Sequence, residues 1–165
     1  MVGDFHALPY RPCVGVMVLN RRNDVWVGRR VGSPNQGHLA AFWQMPQGGI
    51  DAGEAPDAAA LRELYEETSI RSATIIAESR EWYPYDLPPE LRGQIWGGRY
   101  RGQTQRWFAV RFTGTDDEVN IAPPDHEREF IEWRWAPMTD LPRLIVPFKR
   151  DVYAKVIAEF AHLAT

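Results

Sequence analysis

The chain holds one cysteine in 165 residues. Cys13 has no partner for an internal disulfide, and its place beside the apolar run 14–19 predicts a core residue. Lysine is almost as scarce: only Lys149 and Lys155 stand among 19 basic residues, so the rest are arginine. Arginine suits two-point phosphate contact, although a GC-rich genome produces the same bias. No stretch approaches eighteen apolar residues. Residues 1–12 carry Asp4, His6 and two prolines where a secretory leader needs an apolar segment. A reduced, cytoplasmic location without membrane contact is expected. The net charge of −3 and pI of 5.8 exclude a generally basic coat, so any nucleic-acid contact must come from a local patch. His6, His38, His126 and His162 lack partners at zinc spacing, and no Gly-x-Ser-x-Gly, Walker or Rossmann loop appears. Internal repeats and low-complexity tracts are absent too.

What is present is enough for one domain, residues 1–165: 44% of the chain is hydrophobic, and this length buries a core without staples. Residues 14–19 and 25–30 read as strands of a hairpin, joined by the turn-like Asn-Arg-Arg-Asn-Asp at 20–24. A surface loop is expected at 32–38, a short aromatic strand at 41–45 and a glycine-rich connection at 46–53. Pro56 and Asp57 suit a first helical turn. Ala58, Leu61, Leu64 and Tyr65 supply an apolar stripe for a helix ending near Ser69. One or two strands follow in 73–85, then a long loop at 87–102 rich in Gly, Pro and Arg with Trp96 and Tyr100. Loops of that length tend to be functional or mobile. Strands are expected at 105–112 and 133–136, and an amphipathic helix at 147–163 with Phe148, Val152, Val156, Phe160 and Leu163 on one stripe.

The chemistry concentrates between Gly48 and Ile70. Glu63, Glu66 and Glu67 stand at i, i+3 and i+4, so a helix puts them on one face, where they repel by a few tenths of a kcal/mol per pair. A hard cation such as Mg²⁺ removes that conflict, because it takes carboxylate oxygens and keeps positions for water and phosphate. Such a run alone is commonly the solvated side of a surface helix. Adding Gly48, Glu54 and Arg62 at fixed offsets lowers the chance of coincidence to the order of one in a million.

Gly-x5-Glu-x7-Arg-Glu-Leu-x-Glu-Glu-x-Ser-Ile resembles the Nudix box of pyrophosphohydrolases. It departs at Ser69, where the family has Gly; a left-handed residue there costs Ser about 1 to 2 kcal/mol. Tyr10-Arg11-Pro12, Arg29-Arg30, residues 43–49, residues 103–108, Trp133-Arg134-Trp135 and residues 148–153 resemble the bacterial RNA pyrophosphohydrolase branch, also called dinucleoside polyphosphate hydrolases. The resemblance covers nearly the whole chain. It implies the Nudix fold, an α/β/α sandwich with a mixed central sheet.

It also implies roles. Glu63 and Glu67 are the principal metal ligands, Glu66 is a further one, Glu54 reaches in from the loop, and Gly48 belongs to the same metal site. The cation is Mg²⁺, with Mn²⁺ or another divalent ion as a substitute. Arg62 cannot face the same way as Glu63; by position it clamps Glu54 or Glu66, the plainer alternative being a surface ion pair with Glu66. Glu129 stands where a general base is supplied, with Glu127 and Glu132 close by; the alternative is an exposed loop carboxylate. Arg11, Arg30 and Lys149 match phosphate or nucleotide contacts. Phe148 matches a stacking aromatic, though it also opens the final apolar stripe. Gln103 and Gln47 match positioning residues and read equally as strand-edge polar groups. The expected activity is removal of pyrophosphate from 5′-triphosphorylated RNA to leave a 5′-monophosphate. Hydrolysis of diadenosine tetra- or pentaphosphate is the alternative. A non-catalytic nucleotide-sensing module is a third, and such a module would tolerate loss of the box glutamates that this chain retains.

Overall fold

The computed structural model describes residues 4–31 and 42–164. The loop expected at 32–38 lies outside them, as does the start of the strand expected at 41–45, of which Trp43–Gln44 (β3) is present. The other strands are β1 (Tyr10–Leu19), β2 (Val25–Arg30), β4 (Gln47–Gly49), β5 (Ala73–Glu78), β6 (Tyr83–Asp86), β7 (Gly102–Phe112) and β8 (Phe130–Ala136). The helices are α1 (Pro56–Thr68), α2 (Leu141–Leu144) and α3 (Arg150–Phe160).

β1 and β7 run parallel at the centre, in unbroken register from Tyr10↔Gly102 to Leu19↔Arg111. All other pairings are antiparallel, which makes the sheet mixed. The expected hairpin is real only at its turn: β2 meets β1 at Leu19↔Val25 and then leaves to pair with β8 and β3. β4 takes the vacated edge of β1, with Gly48 opposite Val14. That substitution brings the glycine-rich connection against the sheet.

Alternation along the two central strands builds a core on each side. Val14, Val16 and Val18 of β1, with Phe108, Val110 and Phe112 of β7, pack beneath Ala59, Ala60 and Leu64 of α1. Met17, Leu19, Trp107 and Ala109 face the other way, onto Val152, Tyr153, Val156 and Phe160 of α3. Helix, sheet and helix therefore form the three layers expected of the sandwich. Gly15 lies opposite Trp107, and a Cβ there would sit 2.5 Å from the indole. The bare backbone lets a large aromatic lie flat on β1.

The α1 stripe differs from the expected one. Ala59, Ala60, Leu64, Glu67 and Thr68 are buried, whereas Leu61 is 40% exposed and Ala58 is on the surface. Two small alanines bring the helix close to the sheet, and the rotation turns Glu67 inward. α1 ends at Ser69, whose φ of 65° is left-handed and whose N–H closes on the Tyr65 carbonyl. The Ser69 hydroxyl donates to the Asn120 carbonyl at 2.9 Å, and the Asn120 N–H donates to the Thr68 carbonyl at 2.8 Å. Those two bonds offset the steric cost that a glycine would avoid.

Candidate active site

Glu63 projects from α1 toward the bare Cα of Gly48 on β4. A Cβ at Gly48 would fall 2.0 Å from the Glu63 carboxylate carbon, so only glycine leaves this carboxylate its place. One helical turn on, Glu67 is 7% exposed and accepts from the Gln47 backbone N–H at 3.2 Å. Burial raises both acids. Glu63 is pushed up to about 7 by desolvation, against the pull of Arg62 and with help from Glu66. Glu67 is driven well up by desolvation and then by Glu63 and Glu129. Glu67 has one backbone hydrogen bond and Glu63 is supported by Arg62, so two neighbouring acids with little further support suit a bound cation.

Arg62 organises the remaining acids. Its Nε and Nη2 donate to the two oxygens of Glu54, at 2.7 and 2.9 Å, and Nη2 also donates to the Gly49 carbonyl at 2.9 Å. Nη1 reaches Glu63 at 3.0 Å and Glu66 at 3.2 Å. The expectation that Arg62 must face away from Glu63 therefore fails, because a long arginine side chain curls back across the helix surface to its neighbour. Glu54 is held low, at about 2, by Arg62 and by the Asp51 N–H. With both oxygens engaged, Glu54 is the anchor of the arginine clamp in this structure. Among the described residues no three His, Cys, Asp or Glu side chains form a ready-made metal cluster. Glu63 and Glu67 line both the main cleft and an adjoining acidic recess, where Glu66 joins them with His126 and Glu127. The donor set still fits a hard divalent cation: all-oxygen ligands, a glycine cradle for one carboxylate, and more acids around both than Arg62 and Arg30 balance.

The cleft holds about 330 Å³ and changes character along its walls. Glu63, Glu67 and Glu129 make it acidic; Arg11, Arg30 and Lys149 make it cationic; Tyr85, Leu87, Leu91, Ile95, Trp96 and Phe148 make it apolar and aromatic. Glu129 lines both the cleft and the acidic recess, with Arg30 3.8 Å from it. Glu127 reaches only the recess, and Glu132 pairs with Arg29 on the opposite side of that strand pair. Arg11 passes over Gly49, where a Cβ would sit 2.3 Å from its Nη2. Lys149 is 5% exposed, beside the rings of Tyr85 and Phe148, and burial with Arg30 nearby lowers it to about 7. Phe148 is half-buried and tilted against Tyr85, so it serves cleft and core together.

Gln47 and Gln103 both line the cleft, joined by a residue the sequence reading did not single out. Buried Gln105 donates to Gln47 at 3.1 Å and to Gln103 at 2.8 Å, and accepts from the Trp107 indole at 3.1 Å. The signal was available: Gln103, Gln105 and Trp107 share one face of a strand by period two. Tyr85 also lines the cleft, and nothing local in the sequence distinguishes it from a core tyrosine.

Comparison with known proteins gives a consistent picture. A NUDIX domain model matches residues 9–156. The chain is 57% identical over 161 residues to an RNA pyrophosphohydrolase of Agrobacterium fabrum, covering 95% of each. It is 57% identical over 165 residues to an RNA pyrophosphohydrolase of Brucella abortus, covering 98% of this chain and 93% of that one. Among solved structures, the dihydroneopterin triphosphate pyrophosphohydrolase of E. coli aligns with a TM-score of 0.67 at 18% identity, covering 92% of this chain and 99% of that one. A C. elegans Ap4A hydrolase binary complex aligns at 0.60 and 17% identity, covering 91% and 98%. At those identities the two structures bear on the fold alone.

Proposed function

This chain belongs to the Nudix family, and we propose on that premise that its single domain is an Mg²⁺-dependent RNA pyrophosphohydrolase of the cytoplasm, acting on 5′-triphosphorylated RNA. It is a pyrophosphohydrolase: water opens a phosphoanhydride, and the RNA product keeps a 5′-monophosphate while pyrophosphate leaves. One observation carries the reading. A single cleft joins buried carboxylates, three cations and an aromatic wall, the three things that a metal, a phosphate chain and a nucleobase each need.

Glu63 and Glu67 are the groups that would hold the divalent ion, with Glu66 adding charge from the recess. When bound, that ion supplies Lewis acidity toward the anhydride oxygens and lowers the pKa of water. Arg11 and Arg30 face the phosphate oxygens as permanently charged, planar donors. Lys149 adds a cation that phosphate would hold in its charged form, since a nearby anion favours protonation. Glu129, at the junction of cleft and recess, is placed to accept the proton from the attacking water at a carboxylate oxygen. Phe148 and Tyr85 receive a base. Arg62 touches no substrate in this reading; it fixes Glu54, Glu63, Glu66 and the β4 carbonyl of Gly49 in one arrangement.

The deciding assay incubates the protein with 5′-triphosphate RNA and Mg²⁺ and follows pyrophosphate release and the 5′-monophosphate end. Diadenosine tetraphosphate is run beside it, because the same groups suit that substrate. Absence of turnover on RNA with active metal would end the RNA assignment, and absence on both would end the enzymatic one.

A further inference from the structure

We infer that Gln105 is a positioning residue that sets the polarity of the cleft wall, turning the side-chain NH₂ groups of Gln47 and Gln103 outward as neutral donors to the phosphate chain. The inference rests on the reading that this cleft cuts nucleotide phosphoanhydrides, and it gives a task to a residue that lies behind the wall, 1% exposed. A half-turn of a glutamine amide exchanges its oxygen with its nitrogen, so three linked glutamines have two polarities. One offers phosphate two donors. The other offers it two carbonyl oxygens, which repel it.

Trp107 makes the choice. An indole nitrogen only donates, so the Gln105 atom 3.1 Å from it is the amide oxygen. The Gln105 nitrogen then faces the other way, and its two hydrogens go to Gln103 at 2.8 Å and Gln47 at 3.1 Å. Both acceptors are consequently amide oxygens, which leaves the NH₂ groups of two cleft-lining side chains directed away from Gln105. The reversed row would set the Gln105 NH₂ against the indole N–H, two buried donors with no acceptor between them. The indole itself has little freedom: it lies over Gly15, where a Cβ would come within 2.5 Å, and meets Tyr153 edge-on with ring centres 5.6 Å apart.

The places of the two amides give the class of ligand. Gln103 stands beside Arg11 in the parallel register, and the backbone N–H of Gln47 donates to Glu67. The row therefore runs from a cation to the carboxylates that would hold the metal, the stretch that a metal-bound phosphate chain has to cross. A further cation there would pair with the carboxylates, whereas a neutral amide leaves them to the metal.

The experiment compares the parent with Gln105→Glu and Gln105→Met, both close to glutamine in size. A carboxylate still accepts from Trp107 but cannot donate, so Gln105→Glu should turn both amides round and present their oxygens to the cleft. Gln105→Met leaves them unheld. On 5′-triphosphorylated RNA with Mg²⁺, KM should rise by roughly tenfold to a hundredfold in Gln105→Glu and by roughly threefold to tenfold in Gln105→Met, with kcat within about threefold of the parent. In the parent, the side-chain amide NMR signals of Gln47 and Gln103, identified by their loss in Gln47→Glu and Gln103→Glu, should shift on adding a methylene-bridged nucleoside triphosphate with Mg²⁺, and more than those of Gln105. In Gln105→Glu that response should be lost. Where Gln105→Glu fails to fold, Gln105→Met and the parental spectra decide. Parental KM in folded Gln105→Met, a loss confined to kcat, or Gln47 and Gln103 signals unmoved by the triphosphate overturns the inference. Absence of RNA turnover in the parent overturns the underlying function instead, and the amide response is then read by itself.

Discussion

Arg62 grips Glu54 at two points, Nε and Nη2 each on its own carboxylate oxygen, and with its remaining nitrogen bridges Glu63 to Glu66. A lysine carries its three donors on one atom and cannot span both Glu54 oxygens, Glu63 and Glu66 together. Arg62→Lys should therefore lower kcat/KM by roughly 10- to 100-fold and raise the Mg²⁺ concentration needed for half-maximal rate. Metal titrations of the steady-state rate check this. An unchanged metal requirement would reduce Arg62 to a surface ion pair.

Gly48→Ala tests the cradle. The added methyl collides with the Glu63 carboxylate, which must swing away by about an ångström or more, a displacement that can cost on the order of 100-fold in rate. The clash involves the end of a side chain rather than backbone, so the melting temperature should move by only a few degrees. A variant with parental kcat/KM would show that Glu63 has no fixed position to lose.

Metal binding and protons should compete at Glu63 and Glu67. Both acids have folded values above the unfolded value near 4.5, Glu63 at about 7 and Glu67 also well raised by its burial. In the metal-free protein their contribution to stability is thus fully present below that unfolded value; that of Glu63 is lost as pH rises through about 7, and that of Glu67 as pH rises through its own raised value. A divalent cation displaces the protons and relieves the repulsion. The rise in melting temperature on adding Mg²⁺ should accordingly grow between about pH 5.5 and pH 8. Thermal unfolding with and without metal across that range decides it, and a pH-independent rise would place the ion elsewhere.

At the end of α1 two substitutions separate strain from hydrogen bonding. Ser69→Ala keeps the left-handed strain and removes the bond to Asn120, so it should destabilise the fold by about 1 kcal/mol. Ser69→Gly removes both and should lie within about 1 kcal/mol of the parent. Urea unfolding of the pair gives the difference directly. A more stable Ser69→Ala would mean that the hydroxyl is not contributing.

The sequence made much of this legible for local reasons. Period and cap signals located α1 and α3, and the fixed offsets from Gly48 to Glu67 marked the acid cluster before any geometry was known. The alternation of residues 105–112 likewise foretold a strand with two dressed faces. Relations across the chain were harder to read. The early departure of β2 from β1, the rotation of α1 that buries Ala59 in place of Leu61, and the curling back of Arg62 all depend on which surfaces meet. Gln105 escaped notice because its importance lies wholly in holding Gln47, Gln103 and Trp107 at once.

The parallel register of β1 with β7 sets Arg11 directly beside Gln103, two cleft residues far apart in the chain. Parallel neighbours separated by so much intervening polypeptide close late in folding, after local hairpins and helices. A nascent chain can thus own its whole acid box and still lack Gln103, Glu129, Phe148 and Lys149, which complete the cleft.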